Sequence, residues 1–163
     1  MKKIFMIACM MLMSTAMFAQ AGKMAIGGNL SIGFYDHYNP LGIGPKFQWE
    51  FIDNMRLDAS AGLYTKKNGF GIWDINVNYQ YLFDIASQMK LYPLGGLTLV
   101  GTTGDGDSDT CLGFNLGGGY QYDIKSNLRL TAEMKYHYAK KSNHGFDVGV
   151  DGLVISAGLL YVF

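Results

Sequence analysis

Hydrophobic and polar positions alternate with a period of two along most of this chain. The pattern is clearest from Leu128 to Tyr138, where apolar residues alternate with Arg129, Glu133 and Lys135. Successive side chains of a β-strand point to opposite faces, so this alternation predicts strands with one apolar and one polar face. Eight strands are predicted, over residues 24–35, 41–51, 55–64, 73–83, 89–102, 112–122, 128–138 and 148–163.

The connections between these strands are alternately short and long. Residues 52–54, 84–88 and 123–127 form the short turns, and residues 36–40, 65–69, 103–110 and 139–147 form the longer loops. All are rich in Gly, Asn, Asp or Ser, which favour turns. Short turns on one side and longer loops on the other are typical of membrane barrels. The pattern predicts an all-β fold, an eight-stranded antiparallel up-and-down β-barrel, with a local bulge at Pro93 because proline lacks the ladder N–H.

An eight-stranded barrel can be a soluble lipocalin-like carrier or a transmembrane barrel, and the two strand faces distinguish them. The apolar face carries no charge in the strand cores and holds the large aromatic residues. Eight of these lie at the short-turn ends of strands: Trp49, Phe51, Tyr81, Phe83, Tyr120, Tyr122, Tyr161 and Phe163. Such ends share one level in a barrel and would form an interfacial aromatic belt. We therefore expect a transmembrane barrel with its apolar face in lipid.

The polar face is then expected to fill the barrel interior, which eight strands leave just wide enough for side chains. Its ionisable residues are Lys46, Glu50, Arg56, Asp58, Asp74, Lys90, Arg129, Glu133, Lys135 and His137. Basic and acidic groups nearly balance, and unpaired buried charges are costly, so we expect a neutralised structural plug. The alternative is a proton or ion path gated by rearranged pairs.

The turn positions predict which inward residues face one another. The first short turn places Glu50 opposite Arg56. The third short turn, centred on Lys125, places Glu133 opposite Gly117.

Composition restricts the class of protein. The chain has 163 residues, of which 49% are hydrophobic and 16% are charged, with a formal net charge of zero. One domain is expected at this length. The charge balance gives no electrostatic footprint for nucleic acid, and the apolar content argues against disorder.

The N-terminal residues have the pattern of a secretory signal peptide. Lys2 and Lys3 precede an apolar run over residues 4–13, which is too short to span a bilayer, and small residues lead to Ala19. We expect cleavage after residue 19 and a barrel domain over residues 20–163. Of the two cysteines, only Cys111 would remain, so no disulfide could form within the mature chain.

The C-terminal residues have a spacing of their own. Ser156, Gly158, Tyr161 and the final Phe163 together resemble the C-terminal assembly signal of bacterial outer-membrane proteins. That resemblance implies the barrel assembly machinery as a partner during biogenesis.

The mature chain as a whole resembles the small outer-membrane β-barrel family of the OmpA, OmpX and opacity-protein type. Residues 117–136 are similar to that family's penultimate hairpin. The resemblance implies residence in the bacterial outer membrane, in contact with lipid and lipopolysaccharide. It implies little about activity, because such barrels serve as adhesins, tethers, envelope stabilisers and, rarely, enzymes. The chain lacks the periplasmic peptidoglycan-binding domain of OmpA, which argues against a cell-wall tether.

A candidate metal site lies in the third long loop. Asp105, Asp107 and Asp109 have the one-three-five spacing of a calcium loop, but Thr110 and Leu116 occupy the positions of the loop's Gly and Glu. A solvated outer loop is the preferred interpretation. His37 and His144 lie in outer loops that adjoin, but two histidines without a third ligand do not define a zinc site. No metal or cofactor is predicted.

The lipid A deacylase barrels, which carry a His-x-Ser pair on a late strand, provide the comparison for catalysis. His137 lies on a comparable strand, but Ala139 stands where the serine would be. A nucleophile needs its base within hydrogen-bond reach, so no enzyme activity is predicted.

The sequence favours a structural, envelope-integrity or surface-interaction role without an open pore. A narrow gated channel is the second interpretation, and a lipid-modifying enzyme is the third.

Overall fold

The computed structural model describes residues 22–35, 39–66, 71–103, 108–143 and 146–163, with the backbone but not the side chains at 108–109, 140–143 and 146–150. Residues 1–19, the expected signal peptide, lie outside the described residues, as do His37, His144, Asp105 and Asp107. None of the described segments is a helix long and apolar enough to cross a membrane.

Within the described residues, nine β-strands form one closed antiparallel barrel. They are β1 (Lys23–Tyr35), β2 (Leu41–Ile52), β3 (Met55–Tyr64), β4 (Gly71–Tyr81), β5 (Phe83–Ala86), β6 (Met89–Thr103), β7 (Ser108–Lys125), β8 (Leu128–Asn143) and β9 (Phe146–Val162). Successive strands pair from β1 to β4 and from β5 to β9, β4 pairs with β6 and not with β5, and β1 pairs with β9 to close the sheet. β4 and β5 both pair with β6 and together make one barrel strand, so the predicted eight-stranded up-and-down barrel is confirmed.

The first short turn has the predicted register. Glu50 pairs with Arg56 across β2 and β3, and the connecting turn contains Asn54 with a φ of 66°. Asparagine is among the few non-glycine residues that adopt this left-handed conformation readily.

The register of the third short turn was predicted wrongly. Glu133 faces Gly119, not Gly117, and Gly117 faces Lys135. β7 continues to Lys125 and leaves a turn of only two residues, with a register shift between Asp123 and Lys125. Backbone pairing and a bulge thus take the place of the predicted five-residue loop over residues 123–127. The register differs from the predicted one by two positions, so every side chain stays on its predicted face.

The predicted bulge at Pro93 was also wrong. β6 pairs with β7 in unbroken register from Met89 to Thr103, with Pro93 opposite Gly118. The interruption lies instead on the other neighbouring strand, at Leu82, and the Leu82 N–H donates to the Asn54 carbonyl at 2.8 Å. The missing proline N–H is therefore accommodated by a break between β4 and β5.

The two faces of the sheet have the predicted chemistry. Large apolar side chains are exposed on the outer face, including Leu30, Leu63, Leu97, Leu112 and Leu116. Buried polar side chains line the inner face, which is the reverse of a water-soluble fold. At the short-turn end, Tyr81, Phe83, Tyr161 and Phe163 are exposed outward. Trp49 and Phe51 are partly covered and contact each other with ring centroids 5.7 Å apart and ring planes tilted by 57°.

Candidate functional site in the barrel interior

The barrel interior contains three layers of side chains, named here from the short-turn end to the long-loop end. The ion-pair plug consists of Lys46, Glu50, Arg56, Asp58, Arg129 and Glu133. The polar layer consists of Asn76, Thr98, Asn115, Lys135 and His137. The apolar cap consists of Tyr35, Tyr64, Ile72, Val100, Cys111 and Ala139.

The plug is organised around the carboxylate of Glu133. Its Oε1 lies 2.6 Å from the Lys46 ammonium and accepts hydrogen bonds from the Tyr92 hydroxyl at 2.9 Å and the Gln80 amide at 3.2 Å. Lys46 also lies 3.2 Å from Asp58. Both side chains of the Lys46–Glu133 pair are almost fully buried, and charge-assisted hydrogen bonds of this kind are the strong ones.

A second group of ion pairs lies nearer the short-turn mouth. Arg129 contacts Glu50 at 2.7 Å and Asp123 at 3.1 Å. Arg56 lies opposite Glu50 in the ladder, but its guanidinium is 3.7 Å from that carboxylate. Its shorter contacts are the hydrogen bonds that it donates to the side chains of Gln80, at 2.6 Å, and Gln121, at 2.5 Å.

Tyr92 contributes to the plug although no sequence pattern singled it out. Its ring lies 4.8 Å from the Arg56 guanidinium, a cation–π distance, and its hydroxyl binds Glu133. Gly119 makes this possible, because a Cβ at Gly119 would lie 2.5 Å from the Tyr92 ring. The signal for Tyr92 was positional: it lies two residues from Lys90 on the inward face of β6.

The apolar cap closes the other end of the interior. Tyr64, Ile72, Val100, Cys111 and Ala139 form one buried cluster from five strands, and Tyr35 packs against it. The rings of Tyr64 and Tyr35 occupy the space beside Gly42 and Gly152 on the remaining two strands. All eight barrel strands thus contribute to the closure, which the sequence did not predict.

Asp74 and His137 lie between the cap and the plug. The Asp74 carboxylate accepts a hydrogen bond from the Tyr64 hydroxyl at 2.8 Å, and His137 Nδ1 is 3.9 Å away. Neither ring nitrogen of His137 has a hydrogen-bond partner among the described residues. No serine or threonine hydroxyl therefore stands in hydrogen-bond reach of this histidine in the described structure, and the geometry contains no nucleophile–base pair there.

The structure places most of the predicted interior residues inside the barrel and moves one of them to its rim. Lys46, Arg56, Asp58, Asp74, Arg129, Glu133, Lys135 and His137 are buried. The Glu50 side chain is 13% exposed. Lys90 is 25% exposed and pairs at 3.0 Å with Asp84, which is 59% exposed. Its place in the packed interior was predicted wrongly, because position 90 lies only two residues from the β5–β6 turn.

A depression of about 790 Å³ opens at the short-turn mouth. Lys23, Glu50, Asp53, Asp84 and Lys90 line it. Glu50 is the most buried of the paired charged groups in this lining, and it belongs to the plug.

The remaining predicted residues lie away from this interior or outside the described residues. Ser156 is buried in the lumen, whereas Tyr161 and Phe163 face outward. Gly158 faces inward on the same strand, beside the Lys46 stem. Asp109 lies in β7 without a described side chain, and no cluster of three or more potential metal-ligating residues occurs in the described part of the chain.

A closed antiparallel barrel with lipid-compatible side chains outside and paired charges inside is the architecture of a small membrane barrel. The sequence profile of the outer-membrane protein β-barrel domain matches residues 5–163. The chain belongs to this family. It is a small outer-membrane barrel, and the predicted resemblance is confirmed.

Solved structures share this fold. Neisserial surface protein A is 21% identical with a TM-score of 0.66, and the match covers 86% of this chain and 96% of that one. The N-terminal barrel domain of OprF from Pseudomonas aeruginosa is 16% identical with a TM-score of 0.68, covering 88% and 100%. Ail, the attachment invasion locus protein of Yersinia pestis, is 20% identical with a TM-score of 0.55, again covering 88% and 100%. Comparison with curated protein sequences gives no match.

Proposed function

We propose that this protein is a closed, non-conducting and non-catalytic barrel that strengthens the outer membrane or presents its outer loops for surface contact. The observation that carries the proposal is the double closure of the interior. The ion-pair plug fills the short-turn half, and the apolar cap closes the long-loop end. Opening a passage would require breaking buried ion pairs and exposing apolar side chains at once.

Single-channel recording in planar bilayers tests the absence of conduction. We expect no conductance steps from the purified wild-type barrel. The matched control is one triple variant in which both closures are weakened. It combines Tyr35→Ala and Tyr64→Ala in the cap with Arg56→Ala in the plug, and the folded variant should show conductance steps. Its folded state is checked by circular dichroism and heat-dependent gel mobility. Steps from the wild-type barrel would support the gated channel instead.

The envelope role and the surface role can be separated in cells. A strain without the protein is complemented either with the wild type or with a variant whose outer connections 36–40, 65–69, 104–107 and 144–145 are replaced by short Gly-Ser turns. An envelope role predicts that both chains restore resistance to detergent and large antibiotics. A surface role predicts that only the wild type restores adhesion. Adhesion is the surface function to measure because Ail, one of the similar barrels, is named for attachment and invasion. If neither the wild type nor the variant restored resistance or adhesion, the proposal would be contradicted.

The biogenesis route is part of the same proposal. We propose that residues 1–19 direct export, that Ser156, Gly158, Tyr161 and Phe163 are read by the barrel assembly machinery, and that the outer face contacts phospholipid and lipopolysaccharide. The outward exposure of Tyr161 and Phe163 at the short-turn end supports the last two points. N-terminal sequencing of protein from outer-membrane fractions tests the cleavage site, for which the expected first residue is Gln20.

A further inference from the structure

A groove of about 850 Å³ crosses the outer face of the barrel over β6, β7, β8 and β9. Pro93, Gly118 and Ala132 line it with small side chains or none, and Pro93 pairs directly with Gly118. Larger outward side chains, such as those of Leu116 and Met134, lie beside them and are exposed. The groove therefore opens toward lipid and away from the lumen. Concave, mostly apolar sites of this kind are typical of small-molecule binding.

The two ends of the groove differ in chemistry. Leu91 and Tyr120 face each other at the short-turn end. Tyr136 lies at the long-loop end, where its hydroxyl donates to Asp151 Oδ2 at 2.8 Å. Leu153, which also lines the groove, pairs with Tyr136, and Asp151 lies two residues closer to the long loops on the same strand. A carboxylate therefore adjoins the long-loop end of an apolar groove.

Asp151 is the exception to the apolar composition of the outer face. Among the described side chains, it is the only charged one on the outward strand face between the short-turn aromatic residues and the long loops. It takes part in none of the ion pairs between described side chains. An ionised side chain on a lipid-facing surface is costly and, where it occurs, commonly marks a functional site with a partner.

The chemistry of Asp151 selects the ligand that would complete this site. A carboxylate only accepts hydrogen bonds, and the Tyr136 hydroxyl donates to its Oδ2. The group that best complements the carboxylate is a cationic donor, and a primary ammonium supplies both the charge and the N–H groups. A phosphate would be repelled. The groove continues from Asp151 toward the short-turn end among apolar side chains, which suits an acyl chain attached to the same headgroup.

A second copy of the barrel fits the groove less well than a lipid does. In a two-fold dimer centred here, the same patch of both copies would be in contact. Groove would face groove and both would stay unfilled. Each Asp151 would also approach the same carboxylate of the other copy, and like charges repel. A lipid chain avoids both problems.

We propose that the groove over Gly118 and Ala132, together with Asp151, is a binding site for a membrane lipid whose headgroup carries a primary ammonium. The ammonium binds the Asp151 carboxylate beside Tyr136, and an acyl chain of the lipid lies in the groove. Because Asp151 lies at the long-loop end, the lipid belongs to the outer leaflet. The site goes beyond the structural or surface role proposed above and rests only on contact between the outer face and lipid.

Retention of lipids by the folded barrel tests the headgroup. The barrel is reconstituted into bilayers of equal parts phosphatidylethanolamine, phosphatidylcholine and phosphatidylglycerol with identical acyl chains, in the presence of a chelator. Native mass spectrometry then counts the lipids that stay bound. We expect phosphatidylethanolamine to be retained about threefold over phosphatidylcholine, whose quaternary ammonium has no N–H, because an exposed charge pair contributes about this factor. Anionic phosphatidylglycerol should be retained least.

Variants assign the preference to the two parts of the site. Asp151→Asn keeps the side-chain shape and should abolish the preference for phosphatidylethanolamine, and Asp151→Lys should shift it to phosphatidylglycerol. Gly118→Leu fills the groove and should lower the amount of phosphatidylethanolamine retained. The matched control is Gly28→Leu, at an outward glycine outside this groove, which should not lower it. Heat-dependent gel mobility shows first that each variant is folded.

Three results would overturn the site. They are equal retention of the three lipids by the folded wild type, a preference of the wild type for phosphatidylglycerol, and an unchanged preference for phosphatidylethanolamine in Asp151→Asn. None of them bears on the closed interior. Conductance steps in planar bilayers would instead defeat the closed barrel and leave the lipid preference in place, so the two proposals fail separately.

Discussion

At Glu133, three donors from three other strands converge on one carboxylate oxygen. Lys46 comes from β2, Gln80 from β4 and Tyr92 from β6, and each reaches across the interior. Loss of one partner of a buried ion pair leaves the other charge uncompensated, which costs more than the pair itself contributes. The plug therefore depends on Glu133 more than on any charge at the rim.

The Glu133→Gln variant tests this dependence. The amide keeps the shape of the side chain but leaves Lys46 with Asp58 as its remaining carboxylate. We expect the free energy of unfolding in urea to fall by about 3 kcal/mol. The control is Asp84→Asn, whose solvent-exposed pair with Lys90 should contribute at most about 1 kcal/mol. Equal losses of unfolding free energy in Glu133→Gln and Asp84→Asn would show that the plug is hydrated throughout.

Double-mutant cycles can rank the partners of Glu50. The ladder places Arg56 directly opposite Glu50, but Arg129 is 1 Å nearer, at 2.7 Å against 3.7 Å. We expect a coupling free energy of about 1 kcal/mol or more for Glu50 with Arg129, and a smaller one for Glu50 with Arg56. Urea unfolding of the single and double Gln variants measures both. A larger coupling to Arg56 would contradict the geometry.

Glycines on the two faces of one strand have different structural requirements. A Cβ at inward-facing Gly117 would overlap the Met134 carbonyl and the Lys135 backbone, whereas at outward-facing Gly118 the nearest atom is 3.3 Å away. The inward glycine lets β7 and β8 approach closely at the level of Lys135, in the polar layer. A Cβ at the outward glycine would require a shift of only a few tenths of an ångström at the Tyr92 carbonyl.

Gly117→Ala and Gly118→Ala form a matched pair of adjacent substitutions. We expect Gly117→Ala to reduce the free energy of unfolding by about 2 kcal/mol, because backbone atoms must move. Gly118→Ala should change it by less than about 1 kcal/mol, because the small shift needed at the Tyr92 carbonyl and the restriction of the unfolded chain by alanine oppose each other. Urea unfolding in micelles measures both. If Gly118→Ala lost more unfolding free energy than Gly117→Ala, the assignment of the two glycines to the inner and outer faces would be wrong.

The closing strand contributes both backbone pairing and an outward ring at Phe163. The Phe163 N–H donates to the Met24 carbonyl at 2.9 Å, and the Met24 N–H donates to the Phe163 carbonyl at 3.3 Å. Phe163 thus completes the seam between β1 and β9. Its ring is 64% exposed on the face expected to contact lipid.

Deletion of Phe163 and Phe163→Ala separate these two roles. Both should lower the amount of barrel in the outer membrane and raise proteolysis in the periplasm, if the ring is read during assembly. In detergent, Phe163→Ala keeps both backbone bonds and should refold with little loss, whereas the deletion should lose more stability. Phe114→Leu, an outward aromatic away from the terminus, is the control and should assemble normally. Normal outer-membrane levels of the deletion would contradict the assembly role.

On the scale of the whole molecule, the barrel is closed in two senses. The described strands close on themselves through the β1–β9 and β4–β6 pairings, and the plug and the cap occupy the two ends of the interior. Cys111 lies in the cap, 3% exposed, and would be the only thiol of a chain cleaved after residue 19. Its reactivity therefore reports whether water reaches the long-loop end of the interior.

Maleimide labelling of Cys111 tests the closure of the cap. We expect the folded barrel to label on the order of a hundredfold more slowly than boiled protein, because access requires local opening. The Tyr64→Ala variant should label faster while remaining folded. Folding is verified by SDS resistance and by a gel mobility that changes on boiling, as expected when every backbone group is paired within the sheet. Fast labelling of the folded wild type would show an open outer end.

The sequence by itself determined the strands and their faces. Alternation across β8, from Arg129 to His137, assigns each side chain to the lumen or to lipid, because a strand permits only two directions. The same rule held where the predicted register was wrong. Glu133 pairs with Gly119 and not with Gly117, yet its side chain lies on the predicted face. A shift of two residues preserves parity, so the fold and the composition of the lumen survive such errors.

Only the tertiary structure decided which of the lumen side chains meet. The Lys46–Glu133 pair joins β2 to β8, and the Arg56 hydrogen bond to Gln121 joins β3 to β7, across a barrel whose diameter no local pattern specifies. The apolar cap likewise gathers Tyr64, Val100 and Cys111 from strands that are distant in sequence. Such contacts depend on closure of the sheet and on the stagger of its strands, which are set by the sum of all the pairings together.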